Sequence, residues 1–93
     1  MDLDGWRARI DELNARLVDL LNERARCALE IVALKHRQGL PIHDPKREED
    51  VLNKVVGHSQ GPLSEEALRG IFRCIMAEHR KLEEDHGEPG SDR

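Results

Sequence analysis

The sequence predicts an all-α fold of three helices, the first of them very long. Apolar residues recur three or four positions apart in three stretches, which is the spacing of one helix face. Gly and Pro lie between those stretches, where helices end. The 93 residues include one Trp, one Phe and neither Tyr nor Thr, so little of the material that favours strands is present. A chain of this length forms one small domain.

The first helix is predicted over residues 4–37, and its apolar face has the spacing of a heptad stripe. One step of that stripe is occupied by Arg24. Gly39 and Pro41 end the helix, because Gly favours the C-terminal position and Pro cannot continue it. The apolar positions of the stripe are Trp6, Ile10, Leu13, Leu17, Leu20, Cys27, Ile31 and Leu34.

Two shorter helices follow. Asp44 suits the cap of the second helix and Pro45 its first position, and the helix ends near Gly57. Ser64 suits the cap of the third helix. We expect residues 1–84 to form one helical domain and residues 85–93, which are polar with two Gly and one Pro, to be a disordered C-terminal tail. The third stripe consists of Leu68, Ile71, Phe72, Ile75, Met76, His79 and Leu82.

Composition excludes several functions. A net charge of −4 and a pI near 5.7 argue against a nucleic-acid partner. No apolar run exceeds four residues, so no membrane-spanning helix is expected. The first residues lack the basic and apolar character of a signal peptide, which predicts a cytoplasmic protein. Cys27 and Cys74 are then expected to be two buried thiols. No HxxxH pair, catalytic triad or Gly-rich phosphate loop is present, so neither a metal site nor a cofactor is expected.

The length of the first helix predicts a homodimer. Its 34 residues would extend roughly 50 Å, whereas a compact chain of this size is only about 30 Å across. The apolar stripe runs along nearly the whole helix, and the two shorter helices cannot cover it. A second copy of the chain is the simplest partner.

Three cations on the first helix are candidates for binding a small anion. Arg24 lies in an apolar seam, where an unpaired guanidinium is costly. Lys35 lies about 20° around the helix and roughly 16 Å along it, so both side chains can reach one anion. Arg7 lies about 100° from Arg24 and would have to join from the partner's helix. The alternatives are that Arg24 extends its charged end to solvent or pairs with a Glu such as Glu48, and that Lys35 and Arg7 are solvated.

The other two helices add polar candidates with competing structural explanations. Arg47 and Glu48 are either site residues or a solvated first turn, and Asp44 is a helix cap in either case. His79 continues an apolar stripe and would ordinarily be a satisfied core residue. Glu83, four residues later on the same side, would ordinarily be solvated.

Several motifs in this order resemble the all-helical chorismate mutases. The resemblance covers residues 3–84, nearly the whole chain, and the NER and PIxDPxRE pieces are specific to that family. The matching stretches are 7–11 (RARID), 20–24 (LLNER), Lys35, 39–48 (GLPIHDPKRE), 61–64 (GPLS), 71–76 (IFRCIM) and 82–83 (LE).

The resemblance implies a three-helix chain in an interlocked six-helix homodimer that rearranges chorismate to prephenate without a cofactor. It implies that Arg24, and Arg7 from the other chain, bind carboxylates. Lys35 would bind a carboxylate and the ether oxygen of the breaking bond. Glu48 and the backbone at Asp44 would hold the ring hydroxyl. By the same resemblance, Arg47 would support the carboxylate pocket. No motif identifies a further pathway enzyme as a partner.

Two positions depart from the best-known bacterial members. His79 replaces a small hydroxyl residue, which leaves the ring-carboxylate contact to a protonated His or removes it. Glu83 replaces a Gln that faces the ether oxygen. A protonated Glu could donate a hydrogen bond to that oxygen, whereas a carboxylate would repel the negative charge that develops on it. The alternative functions are an isochorismate-pyruvate lyase, which shares this fold and cation set, and a non-catalytic helical dimerisation or regulatory module.

Overall fold

The computed structural model describes residues 1–87, which form three α-helices joined by two short loops. They are α1 (Leu3–Gln38), α2 (Pro45–His58) and α3 (Glu65–Gly87), and no strand occurs in this part of the chain. The all-α prediction and the very long first helix are therefore confirmed.

Local side-chain and backbone chemistry sets the two ends of α1. The Asp2 carboxylate accepts a hydrogen bond from the Gly5 N–H at 2.8 Å, which satisfies one of the free donors of the first turn. At the other end Gly39 has φ 67°, a left-handed conformation that costs Gly little. The Leu40 N–H then bonds back to the Lys35 carbonyl at 2.9 Å, which closes the last turn.

The predicted caps of α2 and α3 are also in place. Asp44 accepts from the Arg47 N–H at 3.1 Å, and Ser64 accepts from the Ala67 N–H at 3.0 Å. Because α3 continues to Gly87, the predicted start of a disordered tail at residue 85 was three residues too early. A basic residue in the last turn, His86, suits a helix C-terminus and accounts for the extension. The rest of that predicted tail, residues 88–93, lies outside the described residues.

The core is small and lies at one end of the molecule. α3 packs against both α1 and α2, and the buried apolar side chains are Val32, Leu52 and Met76, one from each helix. The chain measures 54 × 30 × 15 Å with a radius of gyration of 16.5 Å, against about 12 Å for a compact chain of this length. Within residues 1–87, no helix is long and apolar enough to cross a membrane.

The N-terminal part of α1 has no covering element among the described residues of the same chain. Trp6, Ile10 and Leu17 are each more than half exposed, as is Leu20. Their spacing of four, seven and three residues places them on one helix face, as the sequence predicted. A contiguous apolar stripe of this length is unusual on the surface of a monomer.

Candidate active site

One cavity of about 280 Å³ lies where the three helices come together, close to the lower end of the size range of small-ligand sites, about 300 Å³. Arg24 and Lys35 reach it from α1, and the stripe of α3 reaches it from the other side. Its polar lining residues are Arg24, Lys35, Asp44, Arg47, Glu48, His79, Arg80 and Glu83, and its other lining residues are Cys27, Ala28, Ile31, Ile42, Val51 and Met76.

Seven of the eight predicted site residues therefore line a single cavity, although they come from all three helices. Arg7 is the exception: it is exposed near the far end of α1, in the part of the helix that no other described element covers. That position agrees with a role in a partner's site and excludes a role in the cavity of its own chain.

Arg24 has a partner inside the cavity, but not the one expected. Its Nη1 lies 2.7 Å from Nδ1 of His79 on α3. The alternative in which Arg24 pairs with Glu48 is wrong, because Glu48 pairs with a different cation, Arg80. The guanidinium is thus fixed by a neutral acceptor, and no carboxylate among residues 1–87 is in contact with it to compensate its charge.

His79 is buried, and its environment opposes protonation of the ring. Burial is the largest cause that lowers the pKa of His79 below its ordinary value of 6.5, and the nearby Arg24 charge lowers it further. A backbone hydrogen bond at Leu21 acts in the opposite direction. Of the two possibilities for His79, a protonated ring that binds the ring carboxylate or loss of that contact, the lowered pKa favours the second.

Lys35 is anchored by the loop between α1 and α2. Its Nζ donates to the Ile42 carbonyl oxygen at 3.0 Å, and both residues line the cavity. An ammonium has three donors, so this bond leaves two for a ligand. The loop thereby holds a flexible side chain in place at the cavity, which lowers the entropy lost when a ligand binds.

Glu83 lies on the same α3 face as His79, four residues further on. Burial is the largest cause that raises its pKa above the ordinary value of 4.5. Three cations, Lys35, Arg24 and Arg80, lower the pKa, while Glu48 raises it. The net direction is upward, so this carboxyl keeps its proton to a higher pH than an exposed Glu does.

Glu48 and Arg80 connect α2 to α3 at the cavity. The Arg80 guanidinium donates to the Glu48 carboxylate, and both side chains are about one third exposed. Arg80 was not among the predicted site residues. Its spacing was the available signal: Met76, His79, Arg80 and Glu83 follow the i, i+3, i+4, i+7 pattern of one face.

Asp44 and Arg47 line the cavity but are exposed. The Asp44 carboxylate is occupied as the cap of α2, and its carbonyl oxygen accepts from the Glu48 N–H at 3.2 Å, which leaves the backbone N–H as the group that could contact a ligand. Among residues 1–87, no group of three His, Cys, Asp or Glu side chains is placed to hold a metal ion. Fixed cations in a small cavity, with a protonatable carboxyl beside them, can bind an anion and stabilise negative charge that develops on it.

The sequence and the three-helix fold of this chain are similar to those of a known protein family. The sequence profile of the chorismate mutase type II family matches residues 6–84. A chorismate mutase from Methanocaldococcus jannaschii is 33% identical over 75 residues, which cover 81% of this chain and 76% of that protein. The solved structure of the Thermus thermophilus chorismate mutase (form II) is 35% identical with a TM-score of 0.88, and the match covers 92% of this chain and 98% of that one.

This chain therefore belongs to the type II chorismate mutase family. A bifunctional chorismate mutase/prephenate dehydratase from Stutzerimonas stutzeri is 37% identical over 87 residues, 88% of this chain. The match covers 24% of that protein, so the chain spans about a quarter of the length of the bifunctional relatives.

Proposed function

We propose that this chain is a chorismate mutase, which rearranges chorismate to prephenate in aromatic amino acid biosynthesis. The observation that carries the proposal is the convergence of Arg24, Lys35 and Arg47 on one cavity in a domain of this family. In this reaction one C–O bond breaks and one C–C bond forms within a single molecule. The enzyme therefore needs neither a nucleophile nor a proton donor to a leaving group. It needs a site that selects the compact conformer of a dianion and stabilises the charge that develops on the ether oxygen.

Arg24 and Lys35 would supply most of the electrostatic stabilisation. A guanidinium suits a carboxylate because its donors form a planar fork, and an ammonium suits an oxygen whose charge grows during the reaction. Lys35, held at the Ile42 carbonyl, would contact both a substrate carboxylate and the ether oxygen. Because both cations are in place before the substrate arrives, little reorganisation is needed in the transition state.

Glu83 would donate a hydrogen bond to the ether oxygen in its protonated form. The raised pKa supports this role, since burial favours the neutral carboxyl. A bound dianion would raise this pKa further, because negative charge nearby disfavours the carboxylate. Once ionised, the group would instead repel the charge that develops on the ether oxygen.

The α2 residues would hold the ring of the substrate. The Glu48 carboxylate would accept a hydrogen bond from the ring hydroxyl, and the Asp44 backbone would contact the same hydroxyl. Arg47 would support the carboxylate pocket. The ion pair with Arg80 supports such a role for Glu48, since it holds the carboxylate in place at the cavity.

We propose that the working unit is a homodimer in which Arg7 of each chain completes the cavity of the other. The exposed stripe through Trp6, Ile10 and Leu17 would be the contact surface. Its position supports the proposal, because Arg7 lies on the same uncovered part of α1. We also propose a cytoplasmic location, in which the two free thiols, Cys27 and Cys74, would stay reduced; both are exposed, so the expectation that they are buried was wrong.

Incubating the purified protein with chorismate and identifying the product tests the function. We expect prephenate, and we expect Arg24→Ala to lower kcat/KM by about 10²- to 10³-fold, the usual effect of removing one preorganised donor. Arg26→Ala is the matched control, since Arg26 is an exposed arginine on the same helix that does not line the cavity. Absence of prephenate would refute the proposal. Pyruvate released from isochorismate would instead identify a lyase.

A further inference from the structure

His79 is the one polar or charged side chain that is buried among residues 1–87, with 8% of its surface exposed. Its ring lines the cavity, and its Nδ1 lies 2.7 Å from Nη1 of Arg24. A buried polar group is costly unless it is hydrogen-bonded, and this contact satisfies it.

The direction of that hydrogen bond follows from chemistry. A guanidinium has only donors, so Nδ1 of His79 must accept and the ring must be neutral with its proton on Nε2. The backbone hydrogen bond at Leu21, which favours the protonated ring, is what a bond from Nε2–H to a carbonyl oxygen would produce. With Nδ1 engaged by Arg24 of α1, this nitrogen is not available to a substrate.

We propose that His79 is a positioning residue, whose Nδ1 fixes the orientation of the Arg24 guanidinium so that its remaining donors face the substrate carboxylate. This inference rests on the proposed function, because it assigns Arg24 to substrate binding. His79 itself does not touch the substrate. Protonating the ring would turn the acceptor into a donor that faces another cation, so the arrangement requires a neutral His79.

The charged surroundings favour that neutral form. Burial and Arg24 both lower the pKa of His79. In the described part of the chain no carboxylate oxygen is within hydrogen-bonding distance of the ring; the nearest carboxyl on the same face, Glu83, is itself shifted toward its neutral form by burial, which raises its pKa. Beyond Arg24, the charged or titratable groups that line the cavity with His79 are Cys27, Lys35, Asp44, Arg47, Glu48, Arg80 and Glu83.

Two substitutions separate positioning from simple packing. His79→Asn keeps an acceptor oxygen near the place of Nδ1 but does not titrate, whereas His79→Leu has a similar size and no acceptor. We expect His79→Leu to lower kcat with chorismate by roughly 10- to 100-fold, the effect of a misplaced binding group. We expect His79→Asn to restore most of that loss. Equal rates for His79→Leu and the wild type, or an equal loss in both variants, would overturn the proposal.

The pH profile supplies a readout that a packing role would not move. In the wild type kcat should fall as the pH drops through the pKa of His79, and this acid limb should be absent in His79→Asn. An acid limb that persists in His79→Asn would overturn the proposal even if His79→Leu fails to fold.

Nitrogen NMR of the full chain distinguishes failure of this inference from failure of the proposed function. The ring of His79 should show the Nε2–H form, and its pKa should rise in Arg24→Met, which removes the cation that lowers it. If the wild type does not convert chorismate, the proposed function fails, and the ring spectra still decide whether His79 accepts from Arg24. An Nδ1–H ring, or an unchanged pKa in Arg24→Met, would refute the bond.

Discussion

Glu83 faces competing influences, and their balance sets the chemistry available at its end of the cavity. Burial pushes its pKa upward, and the charges of Lys35, Arg24 and Arg80 oppose that shift without reversing it. The proton therefore leaves at a pH above the ordinary pKa of 4.5. Below the raised pKa the group is a neutral donor, and above it the group is an anion that can only accept.

We expect the rate of chorismate turnover to fall as the pH rises through the pKa of Glu83. The reason is that the donating, protonated form becomes depleted while the repelling carboxylate accumulates. Glu83→Gln should flatten this basic limb, because an amide donates at every pH. Rates of prephenate formation across the pH range, measured for both proteins, check this. A basic limb unchanged in Glu83→Gln would remove Glu83 from the ether contact.

The burial of His79 could be predicted from the sequence, but its tautomer could not. A histidine in an apolar stripe can be predicted to be buried, and it is. Its tautomer depends on Arg24, which lies 55 positions away and packs beside it only after α1 and α3 come together. The sequence alone therefore pointed to a protonated ring as one option, whereas the folded chain requires a neutral one.

At the scale of the helices, α2 and α3 are joined across the cavity by the pair of Glu48 and Arg80. One member binds substrate in the proposed mechanism, and the other holds that member in place. Arg80 also lowers the pKa of Glu83, so it acts on two carboxyl groups at once. An ion pair at this depth contributes more to orientation than to the free energy of unfolding.

We expect Arg80→Gln to lower kcat/KM about tenfold, because Glu48 loses the partner that orients it. The same change should move the basic limb of the pH profile to higher pH, since a cation that lowers the pKa of Glu83 is gone. Lys81→Gln is the control: Lys81 is an exposed neighbour that pairs with Glu78 outside the cavity. A basic limb that stays in place in Arg80→Gln would contradict the coupling to Glu83.

The start of α3 offers a test of helix stability that should leave the site untouched. Ser64 accepts from the Ala67 N–H, and removing such a cap costs about 1 kcal/mol. We expect Ser64→Ala to lower the free energy of unfolding in urea by that amount at fixed protein concentration, with kcat unchanged. Ser64→Asp should restore it. A loss of activity without a loss of stability would be inconsistent with a capping role.

Helix bounds were the most predictable part of the fold because capping chemistry is local. Each predicted end carries a capping residue whose hydrogen bond reaches a backbone group only a few positions away along the chain. These residues are Gly39 at the end of α1, Asp44 before Pro45 at the start of α2, and Ser64 at the start of α3. Contacts between helices have no such local signal. Arg80 was missed for that reason: its partner Glu48 lies 32 positions away on another helix.

At the scale of the molecule, a single chain leaves α1 half covered. The buried side chains lie at one end, and Trp6, Ile10 and Leu17 at the other are exposed. Association of two copies would cover this stripe and return hydrophobic free energy of about 25 cal/mol per Å². The uneven distribution of buried surface is thus the strongest physical reason to expect a homodimer.

We expect Leu17→Glu to shift the protein toward the monomer and to abolish most chorismate turnover, because a carboxylate cannot be buried unpaired in an apolar seam. Sedimentation at several concentrations measures the shift. Asp19→Ala, a change at an exposed polar position nearby, serves as the control. A wild-type protein that remains monomeric at high concentration and still turns over chorismate would contradict the proposed assembly.

Mixing two inactive variants tests whether the site is shared between chains. In a heterodimer of Arg7→Ala and Arg24→Ala, one cavity has both arginines and the other has neither. Random exchange makes half of the dimers mixed, and one of the two cavities in each mixed dimer is complete. We therefore expect recovery of about a quarter of the wild-type activity. Recovery of no activity after exchange would show that Arg7 does not act across the interface.

The unbroken course of α1 has a consequence for how this sequence can change in length. A rigid helix couples rotation to translation, so one inserted residue turns everything before it by about 100° and moves it about 1.5 Å. Arg7, placed roughly 26 Å from Arg24 along the axis, would then point away from any site it serves. Insertions and deletions should accordingly be excluded between these two positions and tolerated in the loop at residues 59–64, which does not line the cavity. The length of α1 is therefore as constrained as its chemistry.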